Sequence, residues 1–166
     1  MKLSITGVLA LAAACLFATA SQAQTRDPYY RLTTEYLGAN SALDVHQLPD
    51  GTWFGSLAVN GTGNGQNWYF IPLGDNWFRM TNQWNGMTAC LDVDGDGFTY
   101  MDHCGAQLGQ RWRIQRNGNT VTITNGFLAN TCLGVDMVSG IYVARATRCN
   151  NSAAQRWTFT STGIFP

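Results

Sequence analysis

A chain of 166 residues with ten basic and ten acidic side chains has no formal net charge, and only 12% of its residues are charged. This balance, with Lys2 as the only lysine, excludes the basic footprint of a nucleic-acid or anionic-membrane binder. The high content of Gly, Asn and Thr favours turns and strands over helix interiors, so an all-β chain is expected.

Lys2, an apolar run from Ile5 to Phe17 and the small-x-small stretch Ser21-Gln22-Ala23 have the layout of an export signal covering residues 1–23. The run falls short of the roughly 18 residues needed to cross a membrane, so no membrane span is expected and the chain is expected outside the cell or in a periplasm. A rival reading lipidates Cys15 behind Ala12-Ala13-Ala14, against which Leu16 and Phe17 continue the apolar run. Residues 24–166 have the size of one domain.

Within that domain one pattern occurs three times, over residues 28–72, 73–116 and 117–160. Each unit opens on a strand: Tyr30-Arg31-Leu32-Thr33, then Trp77-Phe78-Arg79-Met80-Thr81, then Thr120-Val121-Thr122-Ile123-Thr124. A second strand follows at Ala42-Leu43-Asp44-Val45, Ala89-Cys90-Leu91-Asp92-Val93 and Thr131-Cys132-Leu133-Gly134-Val135. Hairpin turns are signalled by Asp50-Gly51, Asp96-Gly97 and Ser139-Gly140. Each unit closes on Gln66-Asn67-Trp68, Gln110-Arg111-Trp112 or Gln155-Arg156-Trp157, followed by alternating apolar residues.

One such unit cannot bury its own apolar face, but three around a pseudo-threefold axis can. Trp68, Trp112 and Trp157, with Leu43, Leu91 and Leu133, are therefore expected to share one core, each contributing about 1.5–3 kcal/mol or more on burial. The predicted fold is a β-trefoil of three four-stranded repeats. A propeller has a similar repeat length but needs at least four blades with longer strands.

Four cysteines follow the export signal, and an even number in an exported chain predicts disulfides. Their spacing suggests two local pairs, Cys90–Cys104 and Cys132–Cys149, each worth about 3 kcal/mol by loop-closure arithmetic. A structural zinc site is the alternative, although no Cys-x-x-Cys pair is present and only His103 lies nearby. The first unit has Ala42 and Asn60 where its cysteines would fall.

The threefold Gln-x-Trp, the Cys-Leu-Asp-Val element and the paired cysteines resemble the ricin B-type lectin family of sugar-binding β-trefoils, over Tyr29 to about Thr160. The resemblance implies that each motif glutamine braces its repeat, that each tryptophan fills the core, and that the aspartate after the core leucine accepts from sugar hydroxyls. Asp44 and Asp92 match that aspartate, while the third unit has Gly134, with Asp136 close in sequence. Two family features are missing. Asp102 and Thr147 stand where the family has an aromatic residue, and Gly65, Gly109 and Ala154 where it has an asparagine.

A sugar site needs polar groups for vicinal hydroxyls and an aromatic face for the ring. Candidates are Asp44, Trp53, Asn64 and Gln66 in the first unit, with Phe54 and Asn60 nearby, and Asp92, Tyr100, His103 and Gln110 in the second, with Phe98 and Asp102 nearby. Both aspartates could instead bond turn amides, and Trp53 and Tyr100 could pack inward. Asp92-x-Asp94-x-Asp96-Gly97 also begins like a calcium loop, but His103 occupies the position of the bidentate glutamate.

Catalytic groups are few. His46 and His103 are the only histidines and Glu35 the only glutamate, and no nucleophile motif occurs. A non-enzymatic role follows as the expectation, without a cofactor unless calcium binds. Partners are expected to be glycans or polysaccharide, bound through sites whose weak affinities add by multivalency. The alternative is a protein-interaction subunit, like the degenerate trefoils that deliver toxins or inhibit proteases.

Overall fold

The structure, a computed structural model, describes residues 27–166; the segment read as an export signal, and Cys15 within it, lie outside them. Twelve strands follow one another in three sets of four. The first set is β1 (Tyr30–Thr34), β2 (Gly38–Gln47), β3 (Trp53–Val59) and β4 (Trp68–Gly74). The second is β5 (Trp77–Asn82), β6 (Ala89–Val93), β7 (Thr99–His103) and β8 (Trp112–Asn117). The third is β9 (Thr120–Asn125), β10 (Thr131–Val138), β11 (Ile141–Arg148) and β12 (Trp157–Ser161). A single 3₁₀ turn ending on the motif glutamine precedes the fourth strand of each set, at Asn64–Gln66, Leu108–Gln110 and Ala153–Gln155.

First and fourth strands close a six-stranded antiparallel barrel in the order β1-β4-β5-β8-β9-β12, with β12 returning to β1. Closure leaves the barrel without a free edge. The hairpins β2–β3, β6–β7 and β10–β11 cap one end and touch in a ring, through Phe54 opposite Tyr100, Ser56 opposite Val143, and the Phe98–Arg145 bridge. This is the β-trefoil expected from the repeats. At the second hairpin Gly97 has a φ of 88°, and an added Cβ would overlap the Ala146 carbonyl oxygen, so the close approach of hairpins two and three requires glycine.

Three threefold-related sets fill the core. Trp68, Trp112 and Trp157 are 0% exposed, as are Leu43, Leu91 and Leu133, and so are Leu32, Met80 and Ile123 from the opening strands. Each indole has its one polar group satisfied inside. Trp68, Trp112 and Trp157 Nε1 donate to the carbonyls of Leu43, Leu91 and Leu133 at 2.9, 2.8 and 2.8 Å. That single bond ties the last strand of a unit to its second strand.

The motif glutamines perform an equally repeated task. Gln66, Gln110 and Gln155 Oε1 accept from the backbone N–H of Gly61, Gly105 and Asn150, while their Nε2 groups donate to the carbonyls of Val59, His103 and Arg148. A buried amide with both ends paired holds the chain leaving each hairpin against the barrel. The middle residue of each motif then grips the next unit: Gln83, Gly126 and Glu35 donate their backbone N–H to the carbonyls of Asn67, Arg111 and Arg156.

Both disulfides are formed, Cys90–Cys104 and Cys132–Cys149, so these cysteines are not zinc ligands. The first unit closes the same gap with hydrogen bonds. Asn60, at the second cysteine's place, donates Nδ2 to the Ala39 carbonyl at 2.9 Å, and Arg31 Nη1 donates to Gln66 Oε1 at 2.5 Å.

Candidate functional site

The residue after each core leucine sits on the second strand of its unit, the first of its hairpin, and what lies across the ladder differs from unit to unit. Asp44 faces Ser56, Asp92 faces Tyr100, and Gly134 faces Arg145. A small partner leaves Asp44 partly exposed; beside the large phenol, Asp92 is only 4% exposed. Two identical tripeptides thus present their carboxylates differently.

Both carboxylates turn back onto their own chain. Asp44 and Asp92 Oδ1 each accept the N–H of the next residue, Val45 or Val93, at 2.7 Å. Asp44 Oδ2 also accepts from Gln66 Nε2 at 2.9 Å, which places the brace of the repeat directly behind the candidate acceptor. In this conformation the carboxylates rest on Gly65 and Gly109, where an added Cβ would overlap Oδ1. A side chain at either position would displace the carboxylate oxygen that rests there. In the third unit the relation is reversed, with Gly134 in place of the aspartate and Ala154 in place of the glycine.

Asp44, Trp53 and Asn64 line a single cleft of about 250 Å³, together with Val45, Gly63, Gly65 and Trp84. Trp84 is absent from the sequence-derived candidates. It belongs to the turn between β5 and β6 of the second unit, is 61% exposed, and lies with its ring centroid 6.0 Å from that of Trp53. Tyr36 and Phe127 hold the same place in the other two units and are also exposed, a regularity from which Trp84 could have been found.

The second-unit candidates do not assemble in this way. Tyr100 lines a different, apolar cleft between the hairpin tips, and burial raises its phenol above the ordinary value, with the charges of Asp92, Asp102 and Asp94 adding to the shift. His103 is exposed and serves the brace through its carbonyl, which accepts from the buried Gln110. In the third unit, Asp136 Oδ2 is held by Arg145 Nη1 at 3.1 Å.

Asp92, Asp94 and Asp96 do not gather around one point, and no group of three metal-ligating side chains gathers among the described residues. Asp92 is buried in the strand, while Asp94 Oδ1 accepts the N–H groups of Asp96 and Phe98 and so caps the hairpin.

Burial is the largest influence on Asp92 and raises its carboxyl above the ordinary 3.8, against the opposing hydrogen bonds from Val93 and Gln110. A carboxyl raised on folding adds stability that is fully present below the unfolded value and is lost as pH rises through the folded value. Asp92→Asn is therefore expected to flatten the fall in stability as pH climbs from 3.8, as read by urea unfolding across a pH series. Parallel profiles for variant and wild type would contradict this.

A family model for the ricin-type β-trefoil lectin domain matches residues 29–157. The chain belongs to this family. Solved structures agree on the fold. The designed threefold-symmetric protein ThreeFoil superposes on this ricin-type trefoil with a TM-score of 0.71 at 21% identity, covering 81% of this chain and 99% of the other. The Polyporus squamosus lectin, bound to the human-type influenza-binding epitope Neu5Acα2-6Galβ1-4GlcNAc, gives 0.67 at 17% identity, with 82% of this chain on 49% of that one. The Haemophilus ducreyi cytolethal distending toxin gives 0.63 at 18%, with 82% of this chain on 85% of that one. This trefoil thus spans about half of the Polyporus chain and most of the toxin chain. No match was found among curated protein sequences. Among the described residues no helix is long and apolar enough to cross a membrane.

Proposed function

We propose that the protein is an exported, non-catalytic carbohydrate-binding module whose working site lies in the first unit. The observation that carries this reading is the coincidence, in one cleft, of an accessible carboxylate (Asp44), an amide (Asn64) and an indole (Trp53). Asp44 would accept from two hydroxyls of a pyranose, Asn64 would both donate and accept, and Trp53 would meet the apolar face of the ring. Gln66 fixes Asp44 from behind and acts as a positioning residue. In the second unit Asp92 is buried, and in the third there is no carboxylate at the equivalent position. Membership in a family of sugar-binding trefoils, and a neighbour of the same fold with a bound sialylated glycan, support the reading.

Affinity electrophoresis through gels of xylan, galactan, β-glucan and chitosan, combined with a glycan array, tests it. Wild type should be retarded by at least one of these glycans or bound on the array. Asp44→Ala should lose about tenfold or more in affinity, the scale of charged hydrogen bonds lost with no substitute, and Asp92→Ala should bind as wild type does. Equal binding by the Asp44 variant would refute the assignment.

A second reading is favoured by a different feature. Leu48, Phe54, Phe98, Val138, Ile141 and Val143 line an apolar cleft of about 500 Å³ between the hairpin tips, which would suit a protein partner of a delivery-like or inhibitor-like trefoil. Absence of glycan binding, with saturable capture of one protein that Ile141→Asp abolishes, would select this reading.

A further inference from the structure

The turn that carries Trp84 is held from both sides. Asn82 Oδ1 accepts the N–H of Asn85 at 2.8 Å, and the Asn82 carbonyl accepts that of Gly86 at 3.0 Å. Asn67 of the preceding Gln-Asn-Trp motif accepts the Gln83 N–H at 2.9 Å and donates its Nδ2 to Gln83 Oε1 at 2.6 Å. A tryptophan on such a fixed turn is 61% exposed, so burial does not account for its presence. Ordering costs are already met in the free protein, which is the condition under which an exposed ring contributes most to binding.

The same construction recurs around the axis. The residue two positions past the end of β1, β5 or β9 is aromatic in all three units: Tyr36, Trp84 and Phe127. Counting back from the motif glutamines, the positions facing these rings from the preceding unit are Tyr142, Trp53 and Gly97. Tyr36 meets Tyr142 with centroids 6.1 Å apart, Trp84 meets Trp53 at 6.0 Å, and Gly97 has no ring to offer Phe127. Of the two ring pairs, only Trp53–Trp84 stands beside an aspartate at the sugar-acceptor position, because the Tyr36–Tyr142 pair belongs to the unit with Gly134.

We propose that Trp53 and Trp84 form a two-ring platform built across the junction of the first and second units, and that the site takes a chain of at least two sugar units and not a single monosaccharide. The inference rests on the carbohydrate reading above. Two features set the ligand class. The cleft of about 250 Å³ beside Asp44 is below the roughly 300–1,000 Å³ of a pocket that encloses a small molecule, so it accommodates one ring. Trp84 lines the outer side of that cleft and, 61% exposed, carries the apolar surface outward from it, its plane rotated by 53° from that of Trp53. Successive pyranoses of a twisted polysaccharide chain present their apolar faces in rotated succession, and two tilted indoles match that presentation, whereas coplanar rings suit a flat crystalline surface. Trp84 is thus a specificity-determining residue that reads chain length.

Calorimetric titration with galactose, xylose, glucose and N-acetylglucosamine, and with β-linked di-, tri- and tetrasaccharides of each, tests the platform on the whole protein. For the sugar series that binds, affinity should rise at least about tenfold from one unit to two. Trp84→Ala should remove about tenfold of the disaccharide affinity while leaving the monosaccharide within about twofold, the scale of one aromatic contact. Trp84→Tyr, which keeps a ring, should recover most of that loss, and an unchanged melting temperature in both variants confirms that the fold is intact. If Asp44→Ala abolishes binding but mono- and disaccharides bind wild type equally, or Trp84→Ala leaves their ratio unchanged, the platform is wrong and the carbohydrate reading stands. If wild type binds no member of any series and no glycan on the array, both fall.

Discussion

Trp112→Ala should reduce the free energy of unfolding by about 3–5 kcal/mol, as large-to-small changes of a fully buried aromatic do. Trp112 is 0% exposed and packs in the shared core with Trp68 and Trp157. Its loss removes dispersion contacts to all three units at once and leaves a cavity where strands from different repeats converge. It also removes the indole N–H that the Leu91 carbonyl accepts at 2.8 Å. Against a total of about 5–15 kcal/mol for a typical domain, such a change removes a large fraction of the stability. Urea unfolding is expected to remain a single transition, because no unit retains a core of its own. A loss below about 1 kcal/mol, or two separate transitions, would show that the units do not depend on one another.

Removal of the disulfides has the next largest expected effect. Cys90–Cys104 and Cys132–Cys149 close loops of similar length, with sequence separations of 14 and 17, and the chain-entropy model assigns about 3 kcal/mol to each. Cys132→Ser with Cys149→Ser should therefore cost about 3 kcal/mol, and reduction of wild type about twice that. In the first unit the corresponding contact is the hydrogen bond from Asn60 Nδ2 to Ala39, so Asn60→Ala should cost about 1 kcal/mol, the scale of a single bond of that kind. Melting curves with and without reductant measure the difference. A reduced protein that melts at the same temperature as the oxidised one would contradict the expected stabilisation.

Much of the architecture could be read from the residues because the trefoil repeats its own logic three times. A Gln-x-Trp triplet, an apolar pair two strands earlier and a turn glycine between them specify a unit, and each unit shows the same indole-to-leucine bond and the same glutamine brace. Local cysteine pairs were legible for the same reason, since both partners lie within one hairpin.

The site was only half legible. Asp44 and Asp92 look alike in sequence, and what separates them is the cross-strand partner, Ser56 or Tyr100, ten residues before the motif glutamine in either unit. The absence of the family asparagine reads as loss of function in the sequence, but in the structure the aspartate carboxylate rests on the glycine that stands there, where a side chain would displace Oδ1. Trp84 could not be placed beside Trp53 from either unit considered alone, since the contact exists only where the second unit's first turn folds over the first unit's hairpin. In the acidic series Asp92, Asp94 and Asp96, spacing suited to a metal loop combines a buried strand residue with a hairpin cap, a difference that spacing alone does not carry.

Six tryptophans give the protein a built-in reporter. Indole N–H resonances, assigned by single Trp→Phe variants and followed by NMR during titration with the oligosaccharide that wild type binds most tightly, should shift saturably for Trp53 and Trp84. Those of the buried Trp68, Trp112 and Trp157 should stay in place. Saturable glycan binding that leaves both Trp53 and Trp84 unmoved would contradict the assignment of the site to the junction of the first two units.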